Sequence, residues 1–145
     1  MARIAVTRAI PVPQHRVWQA VADLGSHSRW MRDARSIVFV GDQREGVGTR
    51  MEVATVVGPF RTTDIMEVVG WKEGRSIEVA HSGLVKGVGT LQVTTDVDGT
   101  LVSWIEDLTF PWWLGGRLTA WLARPVLTRI WRGNLERLES SISDP

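Results

Sequence analysis

Residues 110–142, FPWWLGGRLTAWLARPVLTRIWRGNLERLESSI, form the one stretch of the chain long enough for a major helix. Leu127, Ile130, Trp131, Asn134, Leu138 and Ile142 recur at three- and four-residue spacing and fall on one helical face. Arg129, Arg132, Glu136, Arg137 and Glu139 fill the rest of the surface. A helix with one apolar stripe must lie on something apolar, and the preceding sequence offers mainly short strands. The pattern therefore predicts a β-sheet wrapped round a C-terminal helix. Pro125 removes a backbone donor and crowds the preceding turn, yet its ring suits the first position of a helix. The expectation is a kink or restart there. A shorter helix over about 113–123 would lead into a main helix over 125–142, about 27 Å long at about 1.5 Å per residue. Gly115 and Gly116 loosen the start of this region.

Ahead of it, residues 2–10 alternate, with Ile4, Val6 and Arg8 on one side and Arg3, Ala5 and Thr7 on the other, which reads as a strand. Pro11 and Pro13 stop it, and Pro13 suits the first turn of a helix over 14–24. Val17, Ala20, Val21 and Leu24 form the buried stripe of that helix, and Gly25 ends it. Residues 26–31 read as a short second helix or turn. From residue 34 the apolar period becomes two, in runs at 35–40, 48–57, 60–69, 76–82, 87–97 and 100–110. Gly41-Asp42 to Gly46, Gly58-Pro59, Gly70 to Gly74, Ser82-Gly83 and Asp98-Gly99 punctuate them, the last a strong hairpin signal. Connections this short make neighbouring strands antiparallel. With the first strand the total is seven, and the fold class is α+β.

The 145 residues suit one domain with its own core. A formal net charge of +1 argues against a dedicated nucleic-acid binder, which needs a concentrated positive field. With no cysteine, disulfides, thiolate zinc sites and a cysteine nucleophile are excluded, which fits a cytoplasmic protein. The first residues lack a signal-peptide layout, and no window reaches the roughly 18 apolar residues of a membrane span, so no stable membrane insertion is expected. Of the eight Trp, most are read as core. His15, His27 and His81 show no metal-ligand spacing. No nucleophile elbow, phosphate loop or dinucleotide fingerprint appears, and the glycines are read as turn residues. Neither a metal nor an organic cofactor is expected.

The opening Pro11-Val12-Pro13 to Val17-Trp18, then Asp23-Leu24 and Trp30-Met31, carries a resemblance. So do Gly48-Thr49, Asp98-Gly99-Thr100 with Trp104, and the ending LARPVL (122–127) with NLERL (134–138). Together they resemble the START-like superfamily, most closely the polyketide cyclase/dehydrase and lipid-transport branch of the SRPBCC proteins. The likeness covers nearly the whole chain. It implies a helix-grip fold of the Bet v 1 and START type in a single domain, 1–145. A seven-stranded antiparallel sheet would wrap round a long C-terminal helix, with two short helices between strands 1 and 2. The superfamily includes lipid carriers, aromatase/cyclases, hormone-binding proteins and members paired with toxin–antitoxin loci, and a shared fold does not select among these.

In such a fold one parity of each strand faces a cavity under the helix. On 48–57 that parity is Met51, Val53, Thr55 and Val57, and on 60–69 it is Phe60, Thr62, Asp64, Met66 and Val68. On 76–82 it is Ile77, Val79 and His81, and on 87–97 Gly89, Leu91 and Val93. On 100–110 it is Val102, Trp104, Glu106, Leu108 and Phe110, with Leu101 and Ile105 competing for the same side. From the last third, Trp113, Leu118, Trp121, Leu122, Leu127 and Trp131 are the expected ligand contacts. Trp112 and Trp113 either form a membrane-touching or cavity-gating tip or pack under the helix. Arg117, Arg124, Arg129, Arg132 and Arg137 do not share one face and are read as a solvated surface rather than a polybasic membrane stripe. Asp64, His81 and Glu106 stand alone as polar groups on apolar parities. An apolar pocket with a few polar groups is the usual form of a small-molecule site. A carboxylate there is costly unless paired, hydrogen-bonded or protonated.

Three functions fit. The first is a carrier or sequestering protein for a hydrophobic or aromatic small molecule, such as a lipid, quinone or polyketide-like ring system. This is favoured because no catalytic constellation is recognisable. The second is a cyclase, aromatase or dehydratase in which Glu106, Asp64 or His81 moves protons. The third is a regulatory partner of the toxin–antitoxin type, for which the chain offers no disordered arm.

Overall fold

The structure, a computed structural model, describes residues 2–143; the ends of the expected 1–145 span lie outside the described residues. Seven strands form one antiparallel sheet: β1 (Ala2–Ile10), β2 (Ala34–Phe39), β3 (Arg50–Val57), β4 (Phe60–Lys72), β5 (Ser76–Ser82), β6 (Lys86–Asp96) and β7 (Gly99–Thr109). Their spatial order is β1-β7-β6-β5-β4-β3-β2, so the first strand closes on the last and β1 and β2 are the edges. Helix α1 (Gln14–Ala22) and a 3-10 turn (Leu24–Arg29) carry the chain from one edge to the other. A second 3-10 turn (Trp112–Leu114) leads into helix α2 (Gly116–Ser143). This is the helix-grip arrangement.

The alternating pattern became strands because one face is apolar. In β7, Val102, Trp104, Glu106 and Leu108 are buried, while Ser103, Ile105 and Asp107 are less covered. Two bulges reset the phase. One between Ala34 and Ser36 brings Ala34, Ile37 and Phe39 opposite Thr55, Val53 and Met51. The other, between Val68 and Gly70, lets β4 run on to Lys72, through the turn expected from Gly70. Such a bulge flips parity downstream, and Trp71 comes opposite buried Ile77. Its ring meets Trp18 of α1 edge-on at 5.6 Å. The Asp98-Gly99 hairpin forms one residue earlier than that pair suggests: Asp96 pairs with Gly99 and the loop is Val97-Asp98. Gly99 is needed for close approach, since a Cβ there would lie 2.4 Å from the Ile10 carbonyl oxygen. Beside it Thr100 Oγ1 donates to the Val12 carbonyl at 2.6 Å.

The break expected at Pro125 does not occur: α2 is a single 28-residue helix with Pro125 inside it. The proline costs one helical hydrogen bond, to the carbonyl of Trp121, and Trp121 is exposed, so water can take that acceptor. Instead, the redirection falls at Gly115 (φ 96°) and Gly116 (φ 48°), left-handed conformations that glycine adopts freely.

Helix α2 is used in two halves. Trp131, Asn134, Leu135 and Leu138 are buried in its second half, which packs on β1 and β7 with α1 nearby. Ile4, Val6, Val17, Val21, Val93 and Val102 complete that dense end of the core. Full burial of one such aliphatic side chain contributes about 1.5–3 kcal/mol. Arg8 of β1 ties the helix down through Glu139 at 3.0 Å. The first half of α2 buries only Ala120, and there the space between helix and sheet is a cavity.

Candidate functional site: a cavity under the C-terminal helix

The cavity has a volume of about 420 Å³. Met51, Val53, Thr55 and Val57 of β3 line it, with Phe60, Thr62, Asp64 and Met66 of β4. Ile77, Val79 and His81 of β5, Gly89 and Leu91 of β6, and Trp104, Glu106 and Leu108 of β7 form the rest of the sheet wall, with Phe110 just beyond. Val68, Val93 and Val102 share these parities but lie wholly in the dense core. From α2 come Thr119, Ala123, Leu127 and Trp131.

Four expected contacts lie elsewhere. Trp113, Leu118, Trp121 and Leu122 are 61 %, 62 %, 69 % and 57 % exposed and stand on the outer side. The error follows from the break wrongly expected at Pro125. Carrying the Trp131–Leu127 face back through the proline at four-residue steps gives Ala123 and Thr119. The in-phase positions carry small side chains, and the bulky ones lie out of phase.

Three further features of the wall are not legible in the sequence. Asp33, just ahead of β2, lines the cavity, and its carboxylate accepts from Asn134 Nδ2 at 2.7 Å and Trp131 Nε1 at 3.3 Å. Burial pushes the Asp33 carboxyl up, the two donors oppose that, and the nearby Glu106 charge adds to it. Asn134 Oδ1 in turn accepts from Arg32 N and from Arg137. His27 also lines the cavity, with ring Nε2 2.7 Å from the Val21 carbonyl. A carbonyl only accepts, so Nε2 carries the proton. Burial pushes this imidazole down to about 4. A spacing signal for Asp33 existed only in three dimensions, since Asn134 is 101 residues away.

The third feature is a pair of glycines. Gly87 and Gly89 lie inside β6 on its concave parity, Gly89 where the alternation predicts it. Strands two apart in a sheet are separated by nearly 10 Å, and side chains on β6 would ordinarily stand between β5 and β7. Here the gap lets His81 of β5 reach Glu106 of β7, Nε2 to Oε1 3.4 Å. A Cβ on Gly89 would lie 2.7 Å from Glu106 Oε1. The His81–Glu106 contact is off the line of a hydrogen bond, and His81 Nε2 is buried without a hydrogen-bond partner among the described residues. Burial alone would lower the His81 pKa and is the largest single influence. Glu106 and, more weakly, Asp64 together outweigh it and hold the ring proton above the ordinary histidine range. Trp104 Nε1 donates to Glu106 Oε1 at 3.2 Å.

Asp64 is satisfied separately, accepting from Thr62 Oγ1 at 3.0 Å and Leu84 N at 3.3 Å. Gly83 leaves room for it: a Cβ there would fall 1.7 Å from Asp64 Oδ1. Trp104 stacks on Trp131 at 5.0 Å and 19°, giving the sheet and helix walls one continuous aromatic surface. Among the described residues no three His, Asp or Glu side chains converge so as to hold a metal ion.

An apolar cavity between a long C-terminal helix and a seven-stranded antiparallel sheet, with a few inward polar groups, defines the class of helix-grip proteins with an internal site. The chain belongs to the family described as polyketide cyclase / dehydrase and lipid transport, whose pattern it matches over residues 1–142. Solved structures agree on the fold. TTHA0849 from Thermus thermophilus is 22 % identical with a TM-score of 0.80, over 97 % of this chain and 96 % of that one. The di-domain ARO/CYC StfQ from the steffimycin biosynthetic pathway is 13 % identical with a TM-score of 0.80, over 99 % of this chain and 51 % of that one. Ara h 8.0201 is 13 % identical with a TM-score of 0.70, over 99 % and 98 %. No curated protein sequence matches the chain.

Proposed function

We propose that the chain binds and carries one hydrophobic, ring-bearing molecule with a hydrogen-bonding oxygen, of the lipid, quinone or polyketide-like kind. The observation that carries this reading is His81 Nε2, which has the Glu106 carboxylate at 3.4 Å but no aligned hydrogen-bond partner among the described residues, in the wall of a mainly apolar 420 Å³ cavity. Cavities of this size suit small organic molecules, and one or two polar groups fix orientation within apolar walls. A ligand oxygen at His81 Nε2 would complete the hydrogen bonding that protein atoms leave open, while the ring lies along Trp104, Trp131, Leu91 and Val79.

A second reading is supported by the His81–Glu106 contact. A histidine holding its proton beside a carboxylate can donate that proton to a carbonyl or departing hydroxyl and become neutral, the carboxylate having kept the ring protonated until then. That is the acid half of a cyclisation or dehydration, in line with the name of StfQ. The experiment is native mass spectrometry of the protein purified from its own host. A single retained small-molecule adduct, lost in Val79→Trp, supports the cavity reading. An adduct that survives Val79→Trp refutes it. Glu106→Gln then separates the two readings: a carrier keeps its ligand nearly as tightly, while an enzyme loses turnover.

A further inference from the structure

The outer face of the first half of α2 serves neither the core nor the cavity. Leu118, Leu122 and Val126 follow one another at four-residue spacing, with Trp121 beside them, all exposed. Trp112, 86 % exposed, and Trp113 extend the apolar surface into the preceding turn. Exposed apolar area of this extent marks an interaction surface. Its charge is one-sided. Residues 110–135 hold Arg117, Arg124, Arg129 and Arg132 and no Asp or Glu, a charge of +4 in a chain whose total is +1, so the remainder sums to −3. All four arginines are exposed, and none has a carboxylate partner within 4 Å among the described residues. Arg124, Arg129 and Arg132 line a shallow groove between α2 and Ala5 of β1, with Glu136 at its end.

We infer that this face is a docking surface for an anionic lipid bilayer. Trp112, Trp113, Trp121 and Leu122 enter the boundary between headgroups and acyl chains, where Trp is favoured. The arginines meet lipid phosphates. Docking is peripheral, since no helix among the described residues is long and apolar enough to cross a membrane. A second copy of the chain fits the face poorly, because two-fold pairing would set +4 against +4. The same helical turns wall the cavity through Thr119, Ala123 and Leu127. A docked molecule therefore brings the helical wall of the cavity to the bilayer, from which an apolar ligand can pass.

The test is co-sedimentation of the full chain with vesicles of phosphatidylcholine alone and of phosphatidylcholine with about one-third phosphatidylglycerol. The expected result is binding to the anionic vesicles only, weakened by salt, with a blue shift of Trp emission. Arg124→Gln and Arg129→Gln should each weaken binding roughly fivefold. Trp121→Glu with Leu122→Glu should abolish it, whereas Val97→Glu, at a still more exposed apolar position on the β6–β7 turn, should leave it unchanged. Val79→Trp, which fills the cavity, should still bind vesicles, so failure of the ligand reading and failure of this one are separable. No preference for anionic vesicles, or unchanged binding by the Trp121 and Leu122 double variant, overturns the inference. A concentration-dependent dimer lost in that variant assigns the face to a second copy and overturns it equally.

Discussion

His27 makes the cavity wall sensitive to acid, and the size of the effect follows from its burial. Its imidazole is 7 % exposed, bonded to the Val21 carbonyl, and pushed from its ordinary 6.5 down to about 4. The folded state therefore binds fewer protons than the unfolded chain between these values. Stability from this group is fully present above pH 6.5 and is lost as pH falls toward 4. One pKa unit corresponds to about 1.4 kcal/mol. The full shift is thus worth about 3 kcal/mol, of which about 2 kcal/mol is lost by pH 5. His27→Gln keeps a side-chain N–H for Val21 but does not titrate. Urea unfolding of both proteins at pH 8, 7, 6 and 5 isolates the effect, because every other titrating group is common to both. The native protein should lose about 2 kcal/mol more than His27→Gln between pH 8 and 5. Parallel curves, or a His27 ring resonance titrating near 6.5, would refute the argument.

Glu106→Gln should lower the His81 pKa, because the carboxylate is what outweighs burial there; Gly89→Ala, by displacing that carboxylate, should lower it too, and the ring titration by NMR checks both. Gly83→Ala must move Asp64 or the β5–β6 loop, and by the usual cost of overpacking should destabilise by about 1–3 kcal/mol in thermal or urea unfolding. Asn134→Leu leaves the half-buried Asp33 carboxyl without its closest donor and should cost about 1 kcal/mol. Because the Asp33 pKa is already raised, that loss should grow as pH rises from 4 to 7, the opposite sign to His27.

The sheet was legible because period-two patterning states which side of each strand is apolar. Glu106, His81 and Asp64 could be placed on the concave face from parity alone, and the structure sets them there. What depended on phase across an interruption was not legible. Pro125 looked like a break, and the helix face was lost with it, so Trp121 and Leu122 stood in for Ala123 and Thr119. The bulges at Arg35 and Val69 leave no reliable local mark, and Trp71 changes sides because of one of them. Gly87 and Gly89 are small by themselves; only the neighbouring strands reveal that their absence of side chain lets His81 meet Glu106. Asp33 and Asn134 become partners through the closure of the whole fold.

The central claim is that the cavity takes an apolar ring with a polar oxygen, and methyl NMR with 1-naphthol as probe tests it most directly. Saturable one-to-one binding should shift the methyl signals of Met51, Met66, Val79, Leu91 and Leu108, which line the cavity from the sheet side. The His81 ring should move with them, and Val97, on the far turn, should stay still. Shifts confined to Leu118, Leu122 and Val126 on the outer helix face, with the cavity methyls and His81 unmoved at saturation, would contradict the account.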